Sequence, residues 1–220
     1  MAGILSNSLQ DLPGIESIDL SDNNLTDLSL VPCIKALSFI PNLTEINLSF
    51  NVIGSKSADA ISEYLNRKEC SLQKLILQNA DIDDCGCAKF IKHLHTNDTL
   101  TYIDLSGNKI GTSEGLNIVK KTIITGGEAI AELLVSKSML KTLILGWNMI
   151  RLNSAVKLAS SLTHNKTLIY LDLSNNSLGR DGGEILGKYR FLNFNAHVII
   201  IYLTLSYLII HFYWGLKNSP

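Results

Sequence analysis

The residues with the most chemical capacity lie in "DCGCAKFIKHLHT", where Cys85 and Cys87 are followed by His93 and His95. Thiolate and imidazole are zinc ligands, and a structural zinc takes four of them in a tetrahedron. The spacing argues against that use. The segment reads as a helix with the cysteines at its start and the histidines near its end. Six to ten helical residues separate the two pairs by roughly 9–15 Å, too far for one coordination shell. His93 and His95 also point to different faces. Cys87 is expected to be a small core residue, and no metal or cofactor is expected. The five histidines, His93, His95, His164, His197 and His211, fall at helix ends or in the C-terminal stretch. No set of nucleophile, base and orienting group assembles around them. The glycines form no phosphate-binding string. Neither catalysis nor a small-molecule substrate is indicated.

Other motifs point away from further chemistries. Six N-x-[ST] strings begin at Asn24, Asn42, Asn47, Asn97, Asn165 and Asn175. The N-terminal "MAGILSNSLQDLPG" lacks the charged start and apolar core of a secretory leader. Reduced thiols in the cytoplasm are therefore expected, with the six strings unused. No basic run exists that would track phosphates, so nucleic acid is not expected as a partner. The net charge of −1 hides an asymmetry. All 20 acids lie at or before Glu184, so residues 1–187 sum to −4 and residues 188–220 to +3. Eight of the 15 aromatics also follow position 188, which argues for two differently built segments.

The elements that must position these residues come from a repeat. Six segments share L-x-x-L-x-L-x-x-N-x-L: "IESIDLSDNNL" from Ile15, "LTEINLSFNVI" from Leu43, "LQKLILQNADI" from Leu72, "LTYIDLSGNKI" from Leu100, "LKTLILGWNMI" from Leu140 and "LIYLDLSNNSL" from Leu168. Their starts are 28, 29, 28, 40 and 28 residues apart. The L-x-L alternation gives a short strand with its leucines on one face. Behind it, the pairs Ile61/Leu65, Phe90/Leu94, Ile130/Leu134 and Leu158/Leu162 are each one helical turn apart. One strand and one helix cannot bury both apolar faces alone, and stacking the units makes a continuous core.

This pattern resembles the leucine-rich repeat family, in the subclass seen in ribonuclease inhibitor and in the repeat regions of intracellular nucleotide-binding immune receptors. The resemblance covers roughly residues 5–187. It implies an α/β fold: a right-handed horseshoe segment of about six repeats, with a parallel sheet on the concave face and helices on the convex face. It also implies that Asn23, Asn51, Asn108, Asn148 and Asn176 form a buried ladder at the turn after each strand. Ala80 breaks the series, so a local gap, filled by water, is expected there. The expected domain is residues 1–187, carrying a 12-residue insertion at 112–123, "TSEGLNIVKKTI". The stretch "LSNSLQDLPGI" before the first strand reads as the end of a preceding repeat.

Function is then expected on the concave surface. One row reads Ser17, Glu45, Lys74, Tyr102, Thr142, Tyr170, and the next reads Asp19, Asn47, Ile76, Asp104, Ile144, Asp172. A third, at the strand exit, reads Asp22, Phe50, Asn79, Gly107, Trp147, Asn175. With strands about 4.8 Å apart, Tyr102, Ile144, Trp147 and Tyr170 can form one patch bordered by Asp104 and Asp172. The expected function is binding of an unidentified protein partner there, as an immune-receptor-like sensor or regulatory fragment. The resemblance also implies a rival, activation of a small GTPase through an arginine, for which Arg151 and Arg180 are the candidates.

Residues 188–220 stand apart. In the sixth repeat the helical leucine is replaced by Arg190, and no further strand motif is expected. Instead comes "VIIIYLTLSYLIIHFYWGL", residues 198–216, with the length of a membrane-spanning helix. Three readings stand: a tail anchor leaving the repeats in the cytosol as a membrane adaptor, a hydrophobic cap on the solenoid's end, or translation through an unspliced intron. For the last, Gly187-Lys188-Tyr189 can be encoded by a splice-donor string.

Overall fold

A computed structural model of the chain describes residues 14–113, 124–136 and 139–192, and the backbone of strand segments between 200 and 209; side chains are described as far as Leu186. Strands and helices alternate: β1 (Ser17–Asp19), α1 (Asp27–Leu37), β2 (Glu45–Asn47), α2 (Ser55–Leu65), β3 (Lys74–Ile76), α3 (Asp84–His93), β4 (Tyr102–Asp104), α4 (Gly126–Val135), β5 (Thr142–Ile144), α5 (Leu152–Ser161), β6 (Tyr170–Asp172) and α6 (Gly179–Leu192). The strands form one parallel sheet in sequence order. Its register puts Ser17, Glu45, Lys74, Tyr102, Thr142 and Tyr170 side by side, and Asp19, Asn47, Ile76, Asp104, Ile144 and Asp172 two residues on. The residues between those rows, Ile46, Leu75, Ile103, Leu143 and Leu171, are buried against the helices. The helical pairs Ile61/Leu65, Phe90/Leu94, Ile130/Leu134 and Leu158/Leu162 are buried too, so strand period and helix period meet in one core.

The turns after β2, β4, β5 and β6 are built by asparagine. Asn108 accepts at Oδ1 from the N–H groups of Ala80 and Ile82, and donates from Nδ2 to the carbonyls of Leu77, Leu105 and Ser106. Asn51, Asn148 and Asn176 also accept from the preceding repeat and donate to carbonyls of both repeats. Each ladder asparagine thus ties its own turn to the one before it. Asn23 departs from the series: at the sheet's first strand it is exposed, and its side chain donates to Ser21 O.

Ala80 does not leave the gap expected of it. The N–H of Ile53, which an asparagine at position 80 would accept, donates to the backbone carbonyl of Ala80 at 3.0 Å. The Leu48 carbonyl is taken by Asn51 Nδ2. Ala80 is fully buried, and its backbone carbonyl takes the N–H that a side chain would otherwise accept.

Aspartates in the first helical turn stitch neighbouring units. Asp27 of α1 accepts from Ser57 N and Oγ and from Lys56 N at the start of α2. Asp84 of α3 is buried and accepts from Gly126 N at the start of α4, from Gly111 N and from Ser113 N. It therefore holds both flanks of the insertion, whose residues 114–123 lie outside the described residues.

The expectation that no strand follows the sixth repeat is corrected. α6 runs through Lys188 and Arg190 to Leu192, and β7 (Ile200–Tyr202) pairs in parallel with β6, Leu171 opposite Ile201. The motif was present in disguise: Val198, Ile201, Leu203 and Leu208 fit the repeat's apolar positions, and Ser206 stands where asparagine is usual. An unbroken β-branched apolar run satisfies a buried strand as well as a membrane span, so hydropathy did not separate them. Two further segments, β8 (Thr204–Leu205) and β9 (Leu208–Ile209), pair antiparallel. Among the described residues no helix is long and apolar enough to cross a membrane. Most of the proposed span, and the N-terminal stretch before Gly14, lie outside the described residues.

Candidate protein-binding surface

The concave face is the outward side of the two rows that the register defines. Tyr102 and Tyr170 flank Thr142 on one row, two strand spacings or about 10 Å apart. Asp104 and Asp172 flank Ile144 on the next. All six residues expected to form the patch lie on β4 to β6 or at their exits. The two tyrosines and Ile144 are half-buried by their neighbours, whereas Trp147 at the exit of β5 is 69% exposed.

Within this patch the carboxylates have a structural task that spacing alone did not reveal. Asp104 is buried, and its Oδ1 accepts from Ser106 N and Ser106 Oγ. Asp172 Oδ1 accepts from Ser174 N. Asp19 makes the same turn with Ser21, and Asn47 with Ser49. The Asp-Leu-Ser string closes the chain as it leaves the sheet, a side-chain turn of a familiar kind. Two hydrogen bonds from Ser21 hold the Asp19 carboxyl below the usual range.

Lys74 connects the patch to the first repeats. Its ammonium bonds Glu45 Oε1 at 3.0 Å and lies 5.2 Å from the centroid of the Tyr102 ring. Partial burial, with the Asp104 charge beside it, raises the pKa of the Tyr102 phenol against the opposing pull of Lys74. The three rows together carry Asp19, Asp22, Glu45, Asp104 and Asp172 against Lys74 alone, so this surface is acidic.

The strand-exit row has one backbone conformation throughout. Asp22, Phe50, Asn79, Gly107, Trp147 and Asn175 all have φ between 48° and 68°. The N–H groups of the first five donate along the row to the next repeat, Phe50 to Gln78 O and Trp147 to Ser174 O, for example. Glycine, asparagine and aspartate tolerate this left-handed region, while a bulky residue pays about 1–2 kcal/mol. Phe50 and Trp147 are the bulky ones. Each is followed, two residues on, by an exposed aliphatic, Val52 or Met149, and Leu152, also left-handed at 47°, lies beyond Met149. Phe50, already in the strand-exit row, and Val52, Met149 and Leu152, outside the rows, are exposed apolar residues that the expected patch did not include. The signal was in the sequence: "FNVI" and "WNMI" put apolar residues at positions the core does not use.

The residues first considered for chemistry are dispersed. Cys87 is fully buried, and burial pushes its thiol well above the usual range. Cys85 is exposed. His93 Nδ1 bonds Ser62 Oγ on α2, and His95 Nδ1 bonds Ser136 Oγ beyond α4 at 3.0 Å. Among the described residues, no three His, Cys, Asp or Glu side chains come together to hold a metal. Arg180 Nε is held by Glu184 at 2.7 Å, and Arg151 caps α5 with its backbone bridged to Ser177. Two of the N-x-[ST] asparagines are structural. Asn97 donates to Leu65 O and Asn165 to Leu134 O, and each accepts from the N–H groups that lead into the next strand.

A parallel sheet of three-residue strands with asparagine-tied exits and a helix behind each strand defines a leucine-rich repeat solenoid. A family model described as Leucine Rich repeat matches residues 40–62, 96–113 and 164–187. The chain is 30% identical over 173 residues to the ribonuclease inhibitor of Sus scrofa, covering 79% of this chain and 36% of that protein. It is 28% identical over 172 residues to NACHT, LRR and PYD domains-containing protein 5 of Homo sapiens, covering 78% of this chain and 13% of that protein. With NACHT, LRR and PYD domains-containing protein 2 of Homo sapiens the identity is 32%, over 78% of this chain and 15% of the other. The chain belongs to the leucine-rich repeat family, in its ribonuclease-inhibitor-like subclass, and spans about a third or less of the length of these relatives.

Proposed function

We propose that the chain is a protein-interaction module, non-catalytic, that binds a protein partner on the concave face of repeats four to six. The observation that carries this reading is the in-register grouping of Tyr102, Ile144 and Tyr170 with exposed Trp147 and the carboxylates Asp104 and Asp172. Aromatic anchors rimmed by polar groups on a rigid support are what protein interfaces use, because little conformational entropy is lost on binding. Its likeness to the repeat regions of NACHT- and PYD-containing proteins supports a role as the sensing or regulatory part of such a receptor. Ribonuclease is a partner that one relative's name supplies, and it is the first to try. Four unpaired cysteines, three of them wholly or partly buried, support a reducing compartment.

The test is a pull-down of partners from cell extract, and separately of ribonuclease, by the wild-type chain and by Tyr102→Ala, Trp147→Ala and Tyr170→Ala. Each substitution is expected to weaken capture at least about tenfold, the effect of removing an aromatic anchor. Capture unchanged by all three, but lost on substituting convex residues, rejects the concave face.

A further inference from the structure

The first repeat leaves its core positions partly open. Ile15, Ile18, Leu20, Leu25 and Cys33 are only partly buried, whereas the residues 28 positions on, from Leu43 to Ile61, are at most 4% exposed. The helix layer shows the same difference at its third residue. Ser57, Gly86, Gly126, Ser154 and Gly182 are buried there, and Ser29 of α1 is exposed.

What buries that position elsewhere is the helix before it. A Cβ at Gly126 would lie 3.0 Å from Cys87 Cβ, and one at Gly182 would lie 3.2 Å from Ala155 Cβ. At the junction between them a Cβ at Gly127 would lie 2.8 Å from Ser154 Cβ. The third residue of each helix thus sits against the fourth residue of the helix before. Among the described residues, α1 has no such neighbour.

Residues 1–13 lie outside the described residues and lead straight into this face. Shifted by the 28 residues that separate Ile15 from Leu43, Ala2, Leu5, Leu9, Leu12 and Pro13 fall on Leu30, Cys33, Leu37, Ile40 and Pro41. Leu5, Leu9 and Leu12 follow one another at four and three residues, which is a helical stripe, while Ser6, Asn7, Gln10 and Asp11 are polar. The length agrees as well. Ten residues precede Asp11, and α1 to α5 are 10 or 11 residues long. In this register Ala2 takes the place of Cys87, Gly127 and Ala155, so its neighbour is Ser29.

We propose that residues 1–13 occupy the open face of α1, with residues 2–10 as a helix that sets Ala2 against Ser29 and turns Leu5 and Leu9 toward Cys33 and the core. Burying two leucines against a face that is already formed supplies the drive, and direct attachment to β1 keeps the entropy cost of docking small. The helix layer gains a partner there and the β1 strand does not. The contact is independent of what the concave face binds.

The test is a cross-link in the full chain carrying Ala2→Cys, Ser29→Cys and Cys33→Ser. Cβ atoms about 3.5–4.5 Å apart suit a disulfide. Mild oxidation is expected to join positions 2 and 29 within one chain, read from the linked peptides by mass spectrometry. Asn7→Cys in place of Ala2→Cys points away from α1 and is expected to stay reduced. A second arm follows maleimide labelling of Cys33 in the chain with its native cysteines. Leu5→Asp with Leu9→Asp should speed it at least about tenfold and leave Cys85 unchanged. No cross-link at position 2, or equal cross-linking from positions 2 and 7, overturns the proposal. A cross-link formed between two chains also overturns it, by putting a second copy on the face. Labelling of Cys33 that is indifferent to Leu5→Asp with Leu9→Asp overturns it as well.

Discussion

At the scale of the residue, one side-chain type does different work according to its neighbours. Asn108 is buried and satisfies two N–H groups and three carbonyls across two repeats, while Asn23 at the sheet's first strand makes one side-chain bond to Ser21 O. Asn108→Ala leaves several of those groups unpaired and should cost on the order of 3 kcal/mol, whereas Asn23→Ala should cost less than about 0.5 kcal/mol. Urea unfolding of the two variants measures this, and equal losses would refute the ladder's role. The cysteines divide in the same way. Cys85 is exposed, Cys33 half-buried with its pKa raised by burial, and Cys70 and Cys87 are buried with theirs raised too. At pH 8 a maleimide should label Cys85 first and Cys33 slowly, and reach Cys70 and Cys87 only as the chain unfolds. Mass spectrometry of the labelled chain reads the order; early labelling of Cys87 would contradict its place in the core.

At the scale of the element, stability comes from one unit fixing the start of the next. Asp84 satisfies N–H groups at Gly111, Ser113 and Gly126, so Asp84→Ala should cost about 2–3 kcal/mol, more than an ordinary helix cap. Asp27 does the outer version of this task. Desolvation works to raise its pKa, but the hydrogen bonds from Ser57 and Lys56 outweigh it and hold the group below its ordinary value. A carboxyl depressed in the folded state contributes stability fully above its unfolded value near 3.9, and loses that contribution as pH falls through the lower folded value. Stability should therefore decline below about pH 4, and Asp27→Asn should make that decline shallower. Chemical denaturation at several acid pH values checks the slope. Gly111 joins two elements more tightly still. Its φ is 97°, and a Cβ there would lie 2.2 Å from the carbonyl oxygen of Met149 in the next repeat. Gly111→Ala combines backbone strain with a clash against backbone and should cost on the order of 2–4 kcal/mol, read from the urea midpoint.

At the scale of the whole molecule, each repeat touches only its neighbours, so protection should grade along the sheet. β3, β4 and β5 have a strand on each side and fully buried central residues. β1 is the first strand of the described sheet, and its Ile18, like Leu20 just beyond it, is only half-buried. Amide exchange should be fastest in β1 and slowest in β3 to β5. Uniform protection from β1 to β5 would mean that the edge is covered in solution. The concave surface spans this same gradient, and its aromatic half sits on β4 to β6. A recognition patch on well-supported strands keeps its geometry before the partner arrives.

What the sequence determined by itself is what a period can encode. The repeated motif set the order of the first six strands, their register to the residue, and which side chains face the core, because motifs written one beneath another leave the stack only one alignment. Ser17 to Tyr170 and Asp19 to Asp172 are rows already when the repeats are written one beneath another. The tertiary structure decided what depends on contacts between repeats. It turned Asp104 and Asp172 into turn closures as well as surface charges, let the Ala80 carbonyl stand in for a missing asparagine, and joined both flanks of the insertion at Asp84. It also took Ile200–Tyr202 into the sheet as a further strand. That last step was beyond hydropathy, since the same apolar run fits a membrane or a core, and only the presence of an open strand edge at β6 distinguishes them.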